Sequence, residues 1–579
     1  MPERFLASVL ARGLLVAALL PVAPLHAAAP PPVSGTGGAV ASADARATEA
    51  GLAMLAAGGN AVDAAVATAL ALAVTFPEAG NLGGGGFAVV HLGGELTTLD
   101  FREVAPAGAH RTMFLGPDGE PVPDASHVGP LAAGVPGSPA GLYELHARFG
   151  RLPWPRVVEP ARRLAAEGFV VGHHLHRVLG SHRELLERFP ETAAQWLPGG
   201  QPPPVGSLLV QPDLAATLAD YARRGPEAIT TGSVATAVEA AARRHGGVLT
   251  AADLAAYRPV WRRPVTFAAF GWHFASMDLP SSGGILLGET LLLLERLDWA
   301  AEPRFGAERA HLLTEVWRRA YADRFRLADP ATTKATAADL LAPAWLDARA
   351  AGIDRQRAAA SDEVAPYSPT ALRASAEPAD TTHLSVVDGD GNLVALTTTI
   401  NSLFGCGLWV PEAGFFLNDE MDDFTTAPGR PNLFGLVQGD ANAVRPGRRM
   451  LSSMTPTIAW REGAPGREAL ALGGRGGARI TTSTAQVLLN VVVDGDDLQQ
   501  ALARPRLHHQ WLPDALHTDA DALAPETRAE LARRGHAIEP GDAAAKVHAV
   551  RLAADGTVEA AVDPREPPAA AGVLRPSPR

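Results

Sequence analysis

Cysteine is almost absent: Cys406 is the single one among 579 residues. A disulfide framework within the chain is therefore excluded, even if the protein leaves the cytoplasm. A basic block is also missing. Arginines are scattered, the formal net charge is −12 and the isoelectric point is about 5.8, which argues against nucleic acid as a partner. Beyond the first residues, no apolar run reaches the length that crosses a bilayer, and no repeat of fixed period occurs. Three common catalytic signatures are lacking: the phosphate loop G-x-x-x-x-G-K-[ST], the zinc helix H-E-x-x-H and the nucleophile elbow G-x-S-x-G. Histidines cluster at His173, His174 and His176, and again at His508 and His509. Neither group has a cysteine or acidic partner at ligand spacing, so structural histidines are expected rather than a metal site.

What remains is the composition of a globular enzyme, 47% hydrophobic and 19% charged, enough for a large core. At the start, Arg4 and Arg12 precede or flank the apolar run GLLVAALLPVAPL, followed by the small residues of HAAAP. That order is a secretory signal peptide, with cleavage expected after Ala29. The mature protein is expected to be periplasmic or secreted, with no membrane span.

The mature chain opens with two apolar helices in ATEAGLAMLAAGGNAVDAAVATALALAV, the first ended by Gly58–Gly59 and the second capped by Asn60. Two strands are predicted around the Gly93–Gly94 turn. Residues 140–260 read mostly as helices, and SSGGILLGETLLLLERL and AERAHLLTEVWRRAYADRFR add two more. From Gly352 to Asp380 the sequence turns polar and irregular, which predicts an exposed, mobile segment. Strands then dominate (HLSVVD, NLVALTTTI, PTIAW, EALALGG), with a helix in ARITTSTAQVLLNVVV and a last hairpin turning at Asp555–Gly556. Helices and hairpins without regular strand–helix alternation favour an α+β layered fold.

One stretch survives as a candidate for chemistry: TTHLSVVDGDGNLVALTTTINSLFG, residues 381–405. A threonine hydroxyl is a poor nucleophile unless a base takes its proton. A chain break before Thr381 would supply one, because the freed α-amine has an ordinary pKa of about 8. The polar segment ending at Asp380 suits such a break. Threonine is equally a good strand former, and from its chemistry alone the run also fits a sheet with no catalytic role.

The same stretch resembles the signature of the gamma-glutamyltranspeptidase family at Thr381, His383, Ser385, Gly391, Asn392, Val394, Thr397, Thr399, Asn401, Phe404 and Gly405. Further similar stretches include GGNAVDAAVA, GNLGGGGF, LDFRE, PSSGG, AYADR, NDEMDDF, GDANAV, LSSMTPTI, HHQWLP and DPR. The resemblance implies the N-terminal nucleophile hydrolase fold, a four-layer αββα sandwich with two stacked antiparallel sheets. It implies self-cleavage at Asp380–Thr381 into a large subunit, 30–380, and a small one, 381–579, which stay one folded unit after removal of the signal peptide, 1–29. By the same resemblance, Thr381 is the nucleophile, Thr399 its hydroxyl partner, and Gly476 and Gly477 the oxyanion hole. Arg102, Ser452 and Ser453 would bind the substrate's α-carboxylate, and Asn401, Glu420 and Asp423 its α-ammonium.

Three departures stand out. Many bacterial members have glutamine at Glu420, Ser-Pro at Gly474–Arg475 and, in some, a gating tyrosine at Phe434. The implied substrates are glutathione and other γ-glutamyl compounds, with water, amino acids or dipeptides as acceptors, and no metal or organic cofactor is implied. Two alternatives remain open: a related cephalosporin or glutaryl acylase, and a non-catalytic exported binding protein of the same fold.

Overall fold

A computed structural model of the chain describes residues 29–364, 381–427, 432, 435–461, 468–541 and 543–574. The expected signal peptide, apart from Ala29, lies outside the described residues, as do Asp380 and Phe434. Two seven-stranded sheets form the centre. Along the first, the strands run Ala570–Val573, Gly38–Ser42, Thr382–Asp388, Leu393–Thr399, Gly85–Leu92, Glu95–Asp100 and Val260–Arg262, every neighbouring pair antiparallel. Along the second they run Val33–Gly35, Val558–Val562, Lys546–Leu552, Glu468–Arg475, Thr457–Arg461, Trp272–Ser276 and Val265–Ala269, again all antiparallel.

Side-chain alternation explains the layering, because successive residues of a strand face opposite sides. In strand Thr382–Asp388, Leu384 and Val386 join an apolar core shared with helices Ala45–Ala56 and Ala61–Thr75. Val387 of the same strand joins a separate core between the sheets, built largely from small residues such as Ala39, Ala41, Ala395, Ala469 and Ala471. On the far side, Leu470 and Leu472 pack with helices Gly283–Arg296, Ala307–Arg324 and Arg479–Val492. The result is helix, sheet, sheet, helix.

The predicted turns fall where glycine is needed. Gly93 and Gly94 both have positive φ, 60° and 87°, at the first hairpin, and Gly556 has φ 85° at the last, conformations that other residues rarely adopt. Asn60 caps the second helix with a reciprocal capping box involving Asp63.

One expectation needs correcting. Of the segment from Gly352 to Asp380, residues 365–380 lie outside the described residues, and within 352–364 exposure is not uniform, since Ser361 is buried. Its backbone N–H donates to Asp514 at 2.8 Å, its hydroxyl donates to the carbonyl of Trp511 at 2.7 Å, and the Trp511 indole donates back to its carbonyl at 2.7 Å. The sequence shows few apolar residues there, and the anchoring is polar instead.

Candidate active site

Strand register brings the two central threonines together. Thr382 pairs with Thr398 across antiparallel strands, so Thr381 lies opposite Thr399, and both odd-numbered residues share the inter-sheet face. The Thr381 hydroxyl donates to that of Thr399 at 3.5 Å. Thr399 Oγ1 in turn accepts the backbone N–H of Asn401 at 2.7 Å. Asn401 has φ 74°, which bends the chain sharply out of the strand, and its side-chain amide donates to the Asp419 carbonyl at 3.0 Å.

The glycine run of GNLGGGGF is what lets other backbone approach this corner. A Cβ on Gly84 would fall 2.0 Å from the Thr399 carbonyl oxygen, and one on Gly83 would fall 1.9 Å from that of Phe416. Asn81, from the same stretch, donates to the Thr399 carbonyl at 2.9 Å. The strand end that carries Thr399 is therefore held from both sides.

All the predicted site residues except Gly476 line one pocket: Arg102, Thr381, Thr399, Asn401, Glu420, Asp423, Ser452, Ser453 and Gly477, together with Met454 and Ile480. Gly476 lies one residue behind, where strand Glu468–Arg475 passes into helix Arg479–Val492. The two glycines have φ 137° and 55°. A Cβ on Gly476 would sit 3.1 Å from both Cα and Cβ of Ala545, so the conformation and the crowding both call for glycine.

Charge is concentrated around Arg102, which is fully buried. Its guanidinium pairs with Glu420 through one terminal nitrogen and with Asp423 Oδ2 at 2.5 Å through the other, and Glu103 lies 3.7 Å away. The cation and the anions that the resemblance assigns to the oppositely charged α-groups of a substrate thus touch each other. Burial pulls the Arg102 pKa down, but the three carboxylates outweigh it and hold it above the usual value. Burial pushes Glu420 and Asp423 upward against the pull of Arg102, and raises Glu103 to about 8. The short 3-10 turn Glu420–Asp423 is fixed by Asn418, whose side-chain Oδ1 accepts the N–H of Glu420 at 3.0 Å and of Gly134 at 2.8 Å.

Some residues escaped the sequence. Arg324, the last residue of helix Ala307–Arg324, is buried and donates to Ser453 Oγ at 3.3 Å and to Ser282 Oγ at 3.0 Å. AYADR and PSSGG carry the signal for these residues, yet nothing in either stretch says which partner it meets. Arg475 stands on the strand that leads into the glycine pair, but its guanidinium is buried and paired with Glu566 at 2.5 Å. The histidine clusters find structural partners: His174 meets Glu78 at 2.6 Å and His509 meets Asp514 at 3.3 Å. Among the described residues, no group of three or more metal-ligating side chains could hold an ion.

An αββα sandwich with a buried threonine at the head of a central strand, beside a second hydroxyl, defines a hydrolase of the N-terminal nucleophile class. A solved cephalosporin acylase from Bacillus halodurans shares that fold, with TM-score 0.81, 24% identity and coverage of 96% of this chain and 100% of its own. The sequence profile of the family described as Gamma-glutamyltranspeptidase matches residues 47–573, and the chain belongs to that family. A glutathione hydrolase proenzyme of Escherichia coli K12 is 41% identical over 537 residues, 92% of this chain and 91% of its own length. Another, from Pseudomonas aeruginosa, is 42% identical over 543 residues, 91% of this chain and 93% of its own.

Proposed function

We propose that the chain is an exported γ-glutamyltransferase and glutathione hydrolase, made as a proenzyme that cuts itself at Asp380–Thr381. The observation that carries this is the meeting of Thr381, its hydroxyl 3.5 Å from that of Thr399, with a buried arginine and two acids in one pocket. A γ-glutamyl group presents an α-carboxylate and an α-ammonium at one end and the scissile amide at the other. Arg102 with Ser452 and Ser453 suits the first, Glu420 and Asp423 with Asn401 the second, and charge-assisted bonds of this kind fix orientation.

The freed α-amine of Thr381 takes the proton of its own hydroxyl as Oγ1 attacks the γ-carbonyl carbon. The oxyanion meets the backbone N–H groups of Gly476 and Gly477. The C–N bond breaks, the leaving amine receives the proton, and a γ-glutamyl ester remains on Thr381. Water, an amino acid or a dipeptide amine then takes the acyl group. Large and small subunits, 30–380 and 381–579, remain associated through the shared sheets. Export rests on the signal-peptide pattern at 1–29, and among the described residues no helix is long and apolar enough to cross a membrane.

A glutaryl acylase would need no partner for an ammonium, and the retained acids Glu420 and Asp423 speak against that rival. Turnover of γ-glutamyl-p-nitroanilide, with and without glycylglycine, beside glutaryl-p-nitroanilide, tests the assignment. Release of p-nitroaniline from the glutaryl compound alone would overturn it, and release from neither would favour a non-catalytic binding protein.

A further inference from the structure

One serine of the pocket, Ser453, is held directly by a buried arginine to which the family resemblance gave no role, and the other, Ser452, is held by Ser282, which that arginine also contacts. Arg324 is 2% exposed. Its Nε donates to Ser282 Oγ at 3.0 Å and its Nη2 donates to Ser453 Oγ at 3.3 Å, while Nη1 has no hydrogen-bond partner among the described residues. Burial without a carboxylate in contact pulls its pKa down to about 10, Asp423 acting on it only from beyond contact. A buried guanidinium in this situation is costly unless an anion completes it.

The hydroxyls around it are arranged with one polarity. A serine hydroxyl has one proton to give and two lone pairs to receive. Ser453 Oγ receives from Arg324, and Ser452 Oγ receives from the N–H of Met454 at 3.1 Å. Each serine thus keeps its own proton for the pocket that both line. Ser282 completes the brace: its hydroxyl and its N–H both donate to the Ser452 carbonyl, at 2.8 and 2.9 Å. Meanwhile the charge of Arg102 is already taken up by Glu420 and Asp423.

From this arrangement we infer that Arg324 is a positioning and specificity residue for the substrate's α-carboxylate. It orients Ser453 as a donor and supplies the second positive charge behind the serine pair. The inference rests on the γ-glutamyl function proposed above. It also gives PSSGG and AYADR a joint purpose, since Ser282 and Arg324 contact each other and hold Ser452 and Ser453 respectively.

The experiment compares two p-nitroanilides that differ only in the carboxylate, γ-glutamyl and 4-aminobutanoyl. Arg324→Gln is expected to raise KM for the γ-glutamyl compound by about tenfold or more with a smaller change in kcat, the pattern of lost substrate binding. On the 4-aminobutanoyl compound, kcat/KM is expected to stay within about twofold of wild type. Arg324→Lys should recover part of the loss, and Ser282→Ala, which leaves every charge in place, should show a weaker form of the same selectivity. Fragment pattern and melting temperature report whether each variant matures and folds. Equal losses on both substrates in all three variants, or an unchanged KM for the γ-glutamyl compound, would overturn the inference while leaving the activity standing. If wild type turned over neither compound, the functional assignment would fail and the inference with it.

Discussion

Thr381 and Thr399 face each other across adjacent antiparallel strands with their hydroxyl oxygens 3.5 Å apart. Because Thr399 Oγ1 accepts the Asn401 N–H at 2.7 Å, its position is fixed by backbone rather than by a free rotamer. The first prediction follows from that fixity. Thr399→Val keeps the strand and the volume but removes the hydroxyl, and is expected to slow both self-cleavage and turnover by about 100-fold, the usual cost of losing alignment at a reacting atom. Thr399→Ser should stay within about tenfold of wild type. Time courses of fragment appearance, followed by assays on whatever fraction has matured, provide the check. A Thr399→Val protein that matures and turns over at the normal rates would remove Thr399 from both steps.

The arginine and its acids lead to a second prediction, about protons. Glu103 is pushed up to about 8, and Glu420 and Asp423 are raised as well, in each case by burial that Arg102 only partly offsets. Part of this carboxyl set therefore carries a proton at neutral pH. An α-ammonium entering beside it favours the ionised form, so binding should expel a proton and tighten as pH rises from about 6 to 8. Calorimetric heats of L-glutamate binding, measured in buffers of different ionisation enthalpy, read the number released. A freed α-amine at Thr381, with the ordinary pKa of about 8, would titrate in the same range, so the informative quantity is the difference between wild type and Glu420→Gln. Fewer protons released by Glu420→Gln is the expected result, and identical counts would exclude Glu420 from the coupled set.

Much of this site is legible in the sequence through its resemblance to the family, and the alternation of the strands agrees with it. Parity places Thr381, His383 and Ser385 on one face and Leu384 and Val386 on the other, and the same alternation runs through Thr397 and Thr399. Both hairpin turns at glycine, the capped helices and the glycine pair before Arg479 are local features, and local chemistry specified them. What was not legible is the pairing of residues far apart in the chain. Nothing near Arg324 announces Ser453, 129 positions away, and nothing near Ser361 announces Asp514 and Trp511. The contact of Arg102 with Glu420 and Asp423 was likewise hidden. The resemblance assigns Arg102 to the substrate's carboxylate and both acids to its ammonium, whereas buried opposite charges satisfy one another when they share a pocket.

Arg475 is the third subject. Many bacterial family members have Ser-Pro where this chain has Gly474–Arg475, and here the arginine is matched by Glu566, with His548 at 3.0 Å from the other carboxylate oxygen. Burial pushes the Glu566 pKa up, but Arg475 and His548 outweigh it and bring it down to about 2. A carboxylate held below its ordinary value stabilises the fold above that ordinary value and loses the contribution as pH falls through the depressed one. The pair's contribution should therefore be complete above about pH 4.5 and fade toward pH 2. Arg475→Gln leaves the buried Glu566 carboxylate with His548 but without its guanidinium partner and is expected to cost about 3–5 kcal/mol at pH 7. That deficit should narrow in acid and be largely recovered by adding Glu566→Gln. Denaturant titrations of the three proteins at pH 7 and pH 3 measure it. A deficit independent of pH would mean that the arginine acts by packing alone.

The last prediction concerns maturation, on which the proposed activity depends. Thr381 stands immediately before strand Thr382–Asp388, and its nitrogen is a chain terminus only if the bond to Asp380 is cut. In the proposed route, the Thr381 hydroxyl attacks the Asp380 carbonyl, the acyl group moves from nitrogen to oxygen, and water hydrolyses the ester. That step leaves the α-amine free to act as base in every later turnover. Purified protein is expected to run as two associated fragments, the smaller beginning Thr-Thr-His-Leu-Ser. Thr381→Ala should remain one chain and be inactive, since alanine offers no hydroxyl for cleavage or for acyl transfer. Thr381→Ser should mature at an altered rate, because the hydroxyl is kept while the strand-favouring methyl group is lost. Mass spectrometry of the small fragment reads the cut site directly. A wild-type protein that was fully active as a single chain, with the Thr381 nitrogen still in its peptide bond, would refute the mechanism at its first step.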